Sequence, residues 1–241
     1  MSAAAVWQVL SARASRHDPA PVLIGAGQRF DAGALVAAIE RTVHALRHAR
    51  LRCLALRADN APSWVVIDLA CQLADVRLVP LAPFFSPQQA AHVLTAAGCD
   101  ALASPDLRWP GSPLAIGSPA AGDLAGLPFW RLPVAPVDMP DGTTKITFTS
   151  GSTGAPKGVC LSADHPQRVA ASLATLIDLP GVRHLCLLPL ATLLENVGGV
   201  YAPLLSNGTV YLPSLVETGL SGASGVDVVA LTGAIDRHQP H

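Results

Sequence analysis

Charge is scarce in this sequence. Of its 241 residues only 14% are Asp, Glu, Lys or Arg, and the formal net charge is −1. No basic field is present to hold a nucleic-acid backbone, so nucleic acid is not an expected partner. Lysine is scarcer still: Lys145 and Lys157 are the only two, against fourteen arginines. Aromatic residues make up 5%. The cysteines, Cys53, Cys71, Cys99, Cys160 and Cys186, are odd in number and far apart, and no CxxC pair occurs. That pattern is expected of reduced, buried thiols in a cytoplasmic protein rather than of a disulfide framework. A secretory leader is not expected, because Arg13 and Arg16 follow the first apolar residues instead of preceding them. The longest uncharged stretch, residues 196–216, is interrupted by Gly198, Gly199, Pro203, Asn207, Gly208 and Pro213. It makes a poor membrane span, and a soluble protein is expected.

Half of the residues are apolar, enough for a sizeable core and too many for a disordered chain. The length suits one large domain or two small ones at about 150 residues each. An Ala-rich first segment reads as a helix. Val22-Leu23-Ile24 and Gln28-Arg29-Phe30 read as a hairpin around Gly25-Ala26-Gly27. Asp31 suits the N-cap of a helix reaching about Arg50, with Leu35, Ile39, Val43 and Leu46 on one face. A strand at 51–56 follows, then a helix opened by Asn60 and Pro62, a strand at 77–81, a helix starting at Ser86-Pro87, and a strand at 100–103. This alternation predicts an α/β fold: layered, with mainly parallel sheets flanked by helices. Three parts are expected: an early α/β part at 1–103, a Pro- and Gly-rich connection at 104–142 with a short strand near 129–132, and a second α/β part at 143–241. In the last, strands are expected at 145–149, 183–188 and 209–212. Helices are expected at 166–177, 192–205 and 226–237, the second weakened by Gly198-Gly199.

The chemistry concentrates where the third part begins. The strand-like run Lys145-Ile146-Thr147-Phe148-Thr149 passes directly into Ser150-Gly151-Ser152-Thr153-Gly154-Ala155-Pro156-Lys157-Gly158. Hydroxyls, glycines and a lysine are packed together there. Glycines let several backbone N–H groups converge on one point, the hydroxyls add donors, and Lys157 adds a point charge suited to a phosphate oxygen. The run is not a Walker-type loop. Counting from Gly151, the second glycine would fall at Pro156, which has no N–H, and the Mg²⁺-binding hydroxyl would fall at Gly158.

This stretch, from Thr149 to Val159, resembles the hallmark of the adenylate-forming superfamily of acyl-CoA synthetases, peptide-synthetase adenylation domains and luciferases. Two other regions are similar to that family. One is Asp59-Asn60-Ala61-Pro62-Ser63-Trp64 with the later Leu78-Val79-Pro80-Leu81. The other is Leu188-Pro189-Leu190-Ala191-Thr192-Leu193-Leu194-Glu195-Asn196, which looks most like the long-chain fatty acid branch. The resemblance implies that Thr149, Ser150, Gly151, Ser152, Thr153, Gly154 and Lys157 hold the β- and γ-phosphates of ATP. It implies that Thr192 and Glu195 border the acid pocket. Many relatives carry His or an aromatic residue at the position of Thr192, which leaves the acid open. For Glu195, lining the site and pairing with an arginine are equal alternatives.

The implied reaction is activation of a carboxylic acid, by this resemblance a fatty acid, to an acyl-adenylate with ATP and Mg²⁺, then thioester formation with coenzyme A. The match runs from about Ala20 to His241 and covers the front of a longer family. The family's C-terminal lid brings a catalytic lysine, and no lysine follows Lys157. The chain is therefore expected to be a partial N-terminal domain with weak or no turnover alone, and no catalytic residue is assigned. A non-catalytic nucleotide-binding protein on a truncated fold and an aryl- or amino-acid-activating enzyme are the alternatives. His44 and His48, spaced i, i+4, suit a solvated helix face better than a metal site, since no H-E-x-x-H accompanies them. Nor does a G-x-S-x-G elbow occur.

Overall fold

The central strands are buried on both faces, and their side chains separate two cores. The computed structural model describes residues 5–107, 119–149, 156–221 and 225–241. The first part comprises α1 (Ala5–Ser15), β1 (Pro21–Gly25), β2 (Gln28–Asp31), α2 (Ala32–His48), β3 (Cys53–Leu56), α3 (Pro62–Ala74), β4 (Arg77–Pro80), α4 (Pro87–Ala96) and β5 (Ala101–Ala103). The connection holds β6 (Gly122–Leu124) and β7 (Leu127–Arg131). Then come β8 (Thr143–Thr149), β9 (Lys157–Ser162), α5 (Asp164–Ile177) and β10 (Arg183–Leu185). A π-helix (Glu195–Tyr201) runs into α6 (Ala202–Leu205), followed by β11 (Thr209–Leu212), β12 (Leu220–Ser221), β13 (Gly225–Val226) and α7 (Val228–His238).

A seven-stranded sheet has the order β6-β7-β5-β3-β4-β8-β9, and a four-stranded sheet has the order β10-β11-β1-β2. In the larger sheet the inner pairs β3–β4, β3–β5 and β4–β8 are parallel, while the outer pairs are antiparallel. Leu54 and Leu56 face one core with α2, α3 and the smaller sheet. Cys53 and Ala55 face the other core with Val93 and Leu94 of α4. This is the two-residue period of a strand, read on both sides of a covered sheet. Helix α3 is buried from Trp64 through Cys71 because it lies in the first of these cores. Trp64 is fully buried, as ordinary core packing requires.

Most of the predicted boundaries hold. Asp31 caps α2 by accepting from the Ala34 N–H, and Ser86 and Gln89 form a capping box on α4. Asn60 departs from its predicted role. The cap position of α3 is Ala61, with no side-chain cap bond. Asn60 instead donates to Leu188 O at 2.9 Å and accepts from the Leu190 N–H at 2.8 Å, tying the start of α3 to a segment 128–130 residues away. The Pro- and Gly-rich connection contributes an antiparallel hairpin to the edge of the large sheet, including the strand foreseen near 129–132. The helix foreseen at 192–205 forms as a π-helix followed by one α turn.

Candidate functional site

Strand β8 ends at Thr149, at the same end of the sheet as the carboxyl ends of its parallel neighbours β4, β3 and β5. Ligands of open α/β sheets collect at that edge. Strand β9 returns antiparallel, and Thr149 pairs with Lys157 in the ladder. Ser150, Gly151, Ser152, Thr153 and Gly154 lie outside the described residues. The two strand ends, Thr149 and Lys157, face each other across the ladder, and both are exposed. Pro156 is buried, and its carbonyl lies 3.1 Å from His92 Nε2, so α4 contacts the residue that precedes β9.

The other lysine has the opposite environment. Lys145 is 3% exposed. Its ammonium lies 2.7 Å from Asp68 Oδ1, donates to Asn196 Oδ1 at 2.5 Å, and donates to Tyr201 OH at 3.1 Å. The ammonium thus gives two hydrogen bonds to neutral oxygens and pairs its charge with Asp68. Asp68 Oδ2 accepts from Tyr201 OH at 2.6 Å and from Asn196 Nδ2 at 2.9 Å. The network continues from Gln72 Nε2, which donates to Tyr201 OH, to Gln167, which donates to Gln72 and accepts from the Val6 N–H. Burial first, and then the Asp68 carboxylate, push the Tyr201 hydroxyl far above its usual range, so it stays a neutral donor. The strand leading into the loop is thereby joined to α3, the π-helix and α5. The sequence reading placed Lys145 only as a strand residue and missed this cluster.

Of the two pocket residues, Thr192 is half-buried and its hydroxyl donates to Pro189 O at 2.7 Å, closing a turn. Among the described residues, Glu195 does not pair with an arginine. Its Oε1 lies 2.9 Å from His184 Nε2, and its Oε2 accepts from the Leu188 N–H at 3.1 Å. Beside this segment an apolar cleft of about 210 Å³ opens between Val169 and Leu173 of α5 and Leu193, Leu194 and Val197. Leu194 is 70% exposed along it. Thr192 and Glu195 border this segment but do not line the cleft. A larger cavity of about 440 Å³ lies elsewhere, between α2, β2 and the β6–β7 turn. His44 and His48 stack on α2, and neither is in a metal-binding cluster among the described residues.

The sequence model of the AMP-binding enzyme family matches residues 10–240. The chain belongs to that family. Its fold is that of the family's N-terminal subdomain, as solved structures show. The Klebsiella oxytoca NpsA N-terminal subdomain, in complex with 3-hydroxybenzoyl-AMSN, is 20% identical with a TM-score of 0.69, over 98% of this chain and 58% of that one. O-succinylbenzoate coenzyme A synthetase from Bacillus subtilis, in complex with ATP and magnesium, is 22% identical with a TM-score of 0.71, over 96% of this chain and 61% of that one. The anthranilate CoA ligase AuaEII, in complex with anthranoyl-AMP, is 15% identical with a TM-score of 0.73, over 100% of this chain and 48% of that one. This chain thus spans roughly half to three-fifths of the length of these structures. No curated protein matches it. Among the described residues, no helix is long and apolar enough to cross a membrane.

Proposed function

We propose that this AMP-binding chain supplies the ATP-binding loop and part of the acid-binding cleft of an enzyme that activates a carboxylic acid as its acyl-adenylate. The observation that carries this reading is the β8–β9 ladder. Thr149 and Lys157 stand opposite each other, exposed, at the carboxyl edge of a parallel sheet, and the run between them holds the glycines and hydroxyls of an anion cradle. The residues fit ATP in kind. Lys157 is free to approach a phosphate instead of being consumed in the core as Lys145 is. In this reading Thr149, Ser150, Gly151, Ser152, Thr153 and Gly154 donate to the β- and γ-phosphates, and Lys157 neutralises part of their charge, with Mg²⁺ accompanying the nucleotide. ATP supplies an electrophilic α-phosphorus and a pyrophosphate leaving group. The chain's part is to bind, orient and stabilise charge.

The apolar cleft between α5 and the π-helix would take the body of the acid. Its lining and the Leu188–Asn196 segment favour an aliphatic acid, passed afterwards to coenzyme A. An aryl acid is the second reading. It is favoured by a cleft of about 210 Å³, the scale of one substituted ring, and by the aryl ligands of the structural neighbours.

Both parts are testable by binding. Mg-ATP should bind the chain, and Lys157→Ala should weaken it by about 10-fold or more, as expected for a lost charge-assisted hydrogen bond. No measurable Mg-ATP binding by the parent would refute the reading. Paired alkyl-acyl and aryl-acyl sulfamoyl-adenosines then decide the acid. Tighter binding of the alkyl member supports a fatty acid, and the reverse order replaces it with an aryl acid.

A further inference from the structure

One cluster is not used by the proposed chemistry. His184 lies on β10 and Cys186 lies just after it. They are two residues apart on one strand line, so their side chains leave the same face. Glu195 opens the π-helix opposite. One donor atom from each of the three lies within 4.8 Å of the others, and His184 Nε2 and Glu195 Oε1 are already 2.9 Å apart. Cys186 is fully buried, Glu195 is 7% exposed, and the His184 side chain is 33% exposed, which leaves one approach open to solvent.

The surrounding backbone is shaped to this cluster. A Cβ at Gly199 would stand 2.2 Å from Glu195 Oε1 and 2.7 Å from His184 Nε2, so only glycine lets the helix come this close. The widened turn of a π-helix is a frequent companion of functional sites. The second Glu195 oxygen accepts from the Leu188 N–H at 3.1 Å, which orients the carboxylate as an outer-shell donor orients a metal ligand.

We propose that His184, Cys186 and Glu195 bind a zinc-type transition-metal ion, with solvent as the fourth ligand. A tetrahedral ion with N, O and S ligands at about 2.0–2.3 Å needs donors roughly 3.2–3.8 Å apart. The His184–Glu195 contact, at 2.9 Å, therefore has to open by a few tenths of an ångström, and the widest donor pair, within 4.8 Å, has to close by up to about 1 Å. Thiolate and imidazole select zinc, cobalt or copper over magnesium, so this site is distinct from that of any Mg²⁺ carried by ATP. Binding exchanges the thiol proton of Cys186 for the metal and releases that proton to solvent. The ion would tie β10 to the first turn of the π-helix. It would thereby fix residues 187–194, which include Leu193 and Leu194 of the apolar cleft. Without the metal, His184 and Glu195 form an ordinary hydrogen-bonded pair beside a buried thiol.

The test uses the 241-residue chain, treated with chelator and titrated with Co²⁺. One equivalent is expected, with a thiolate-to-cobalt charge-transfer band and the intense visible bands of a tetrahedral centre. Zn²⁺ should displace it, and excess Mg²⁺ should not. Cys186→Ser should abolish the charge-transfer band. His184→Gln, at the most exposed of the three side chains, should keep the fold by circular dichroism and weaken binding by roughly 10-fold or more. It carries the test if Cys186→Ser does not fold. Absence of stoichiometric metal, or a cobalt spectrum unchanged by His184→Gln, would overturn the proposal. Neither readout depends on acid activation, so failure here leaves the proposed function standing, and the converse also holds.

Discussion

Replacing Lys145 by methionine isolates the energetic role of the buried cation. Methionine keeps most of the volume and removes the charge. Asp68 has no exposed surface, and its Oδ1 loses the ammonium 2.7 Å away. Oδ2 keeps Tyr201 OH at 2.6 Å and Asn196 Nδ2 at 2.9 Å, so the carboxylate is still partly solvated by protein. Breaking a buried pair by removing one partner costs about 3–5 kcal/mol, and these two donors favour the lower end. At about 2–4 °C per kcal/mol for a chain of this size, Tm should fall by roughly 6–20 °C. Urea unfolding of parent, Lys145→Met and Lys145→Met/Asp68→Asn separates charge from packing. The double variant restores neutrality and keeps an acceptor for Tyr201, so it should recover at least half of the loss. Lys145→Arg should not rescue, because a guanidinium brings five N–H donors to a site with three acceptors. A Lys145→Met variant within about 1 kcal/mol of the parent would refute the account, since no buried uncompensated carboxylate is that cheap. So would a second substitution that adds to the loss instead of offsetting it.

Two further perturbations follow from contacts described above. Asn60→Ala removes the acceptor for the buried Leu190 N–H and should cost about 1–3 kcal/mol in urea unfolding, the penalty of one unsatisfied buried donor; an unchanged midpoint would contradict the clamp. Asp18 accepts first from the Ala20 N–H and also from buried Arg13, and these bonds hold its carboxyl below the usual 3.8. A depressed folded value stabilises above the unfolded one and is lost as pH falls through it, so the advantage of the parent over Asp18→Asn should be steady above about pH 5 and shrink below the ordinary carboxylate value. Thermal melts of both across pH 3–7 test this, and a gap that widens on acidification would reverse the sign.

The local part of the fold was legible because each signal sits within a few residues of its effect. Asp31 and Ser86 mark helix starts, and the apolar positions of α2 repeat at helical spacing. Strand β9 was not legible. Lys157, Gly158 and Val159 are exposed, so the strand carries little alternation, and it is held by its partner β8 and not by a buried face of its own. The smaller sheet was legible as strands but not as a sheet, since Leu23 pairs with Val210 across most of the chain. Nothing local to either strand announces the other.

The site divides in the same way, and its two lysines show why. Lys157 can be proposed as a phosphate ligand from its neighbours alone, because an anion cradle is built from consecutive residues. Lys145 stands twelve residues earlier on the paired strand, and its acceptors come from positions 68, 196 and 201. Its meaning exists only once α3 and the π-helix are packed on β8. The same holds for Glu195, whose partner His184 precedes it by eleven residues across a turn instead of lying at helical spacing. A site whose donors follow one another in sequence survives as a motif. One assembled from three elements leaves only a charge in an apolar run, and the cost of burying that charge unpaired is the one advance sign that a partner must be found.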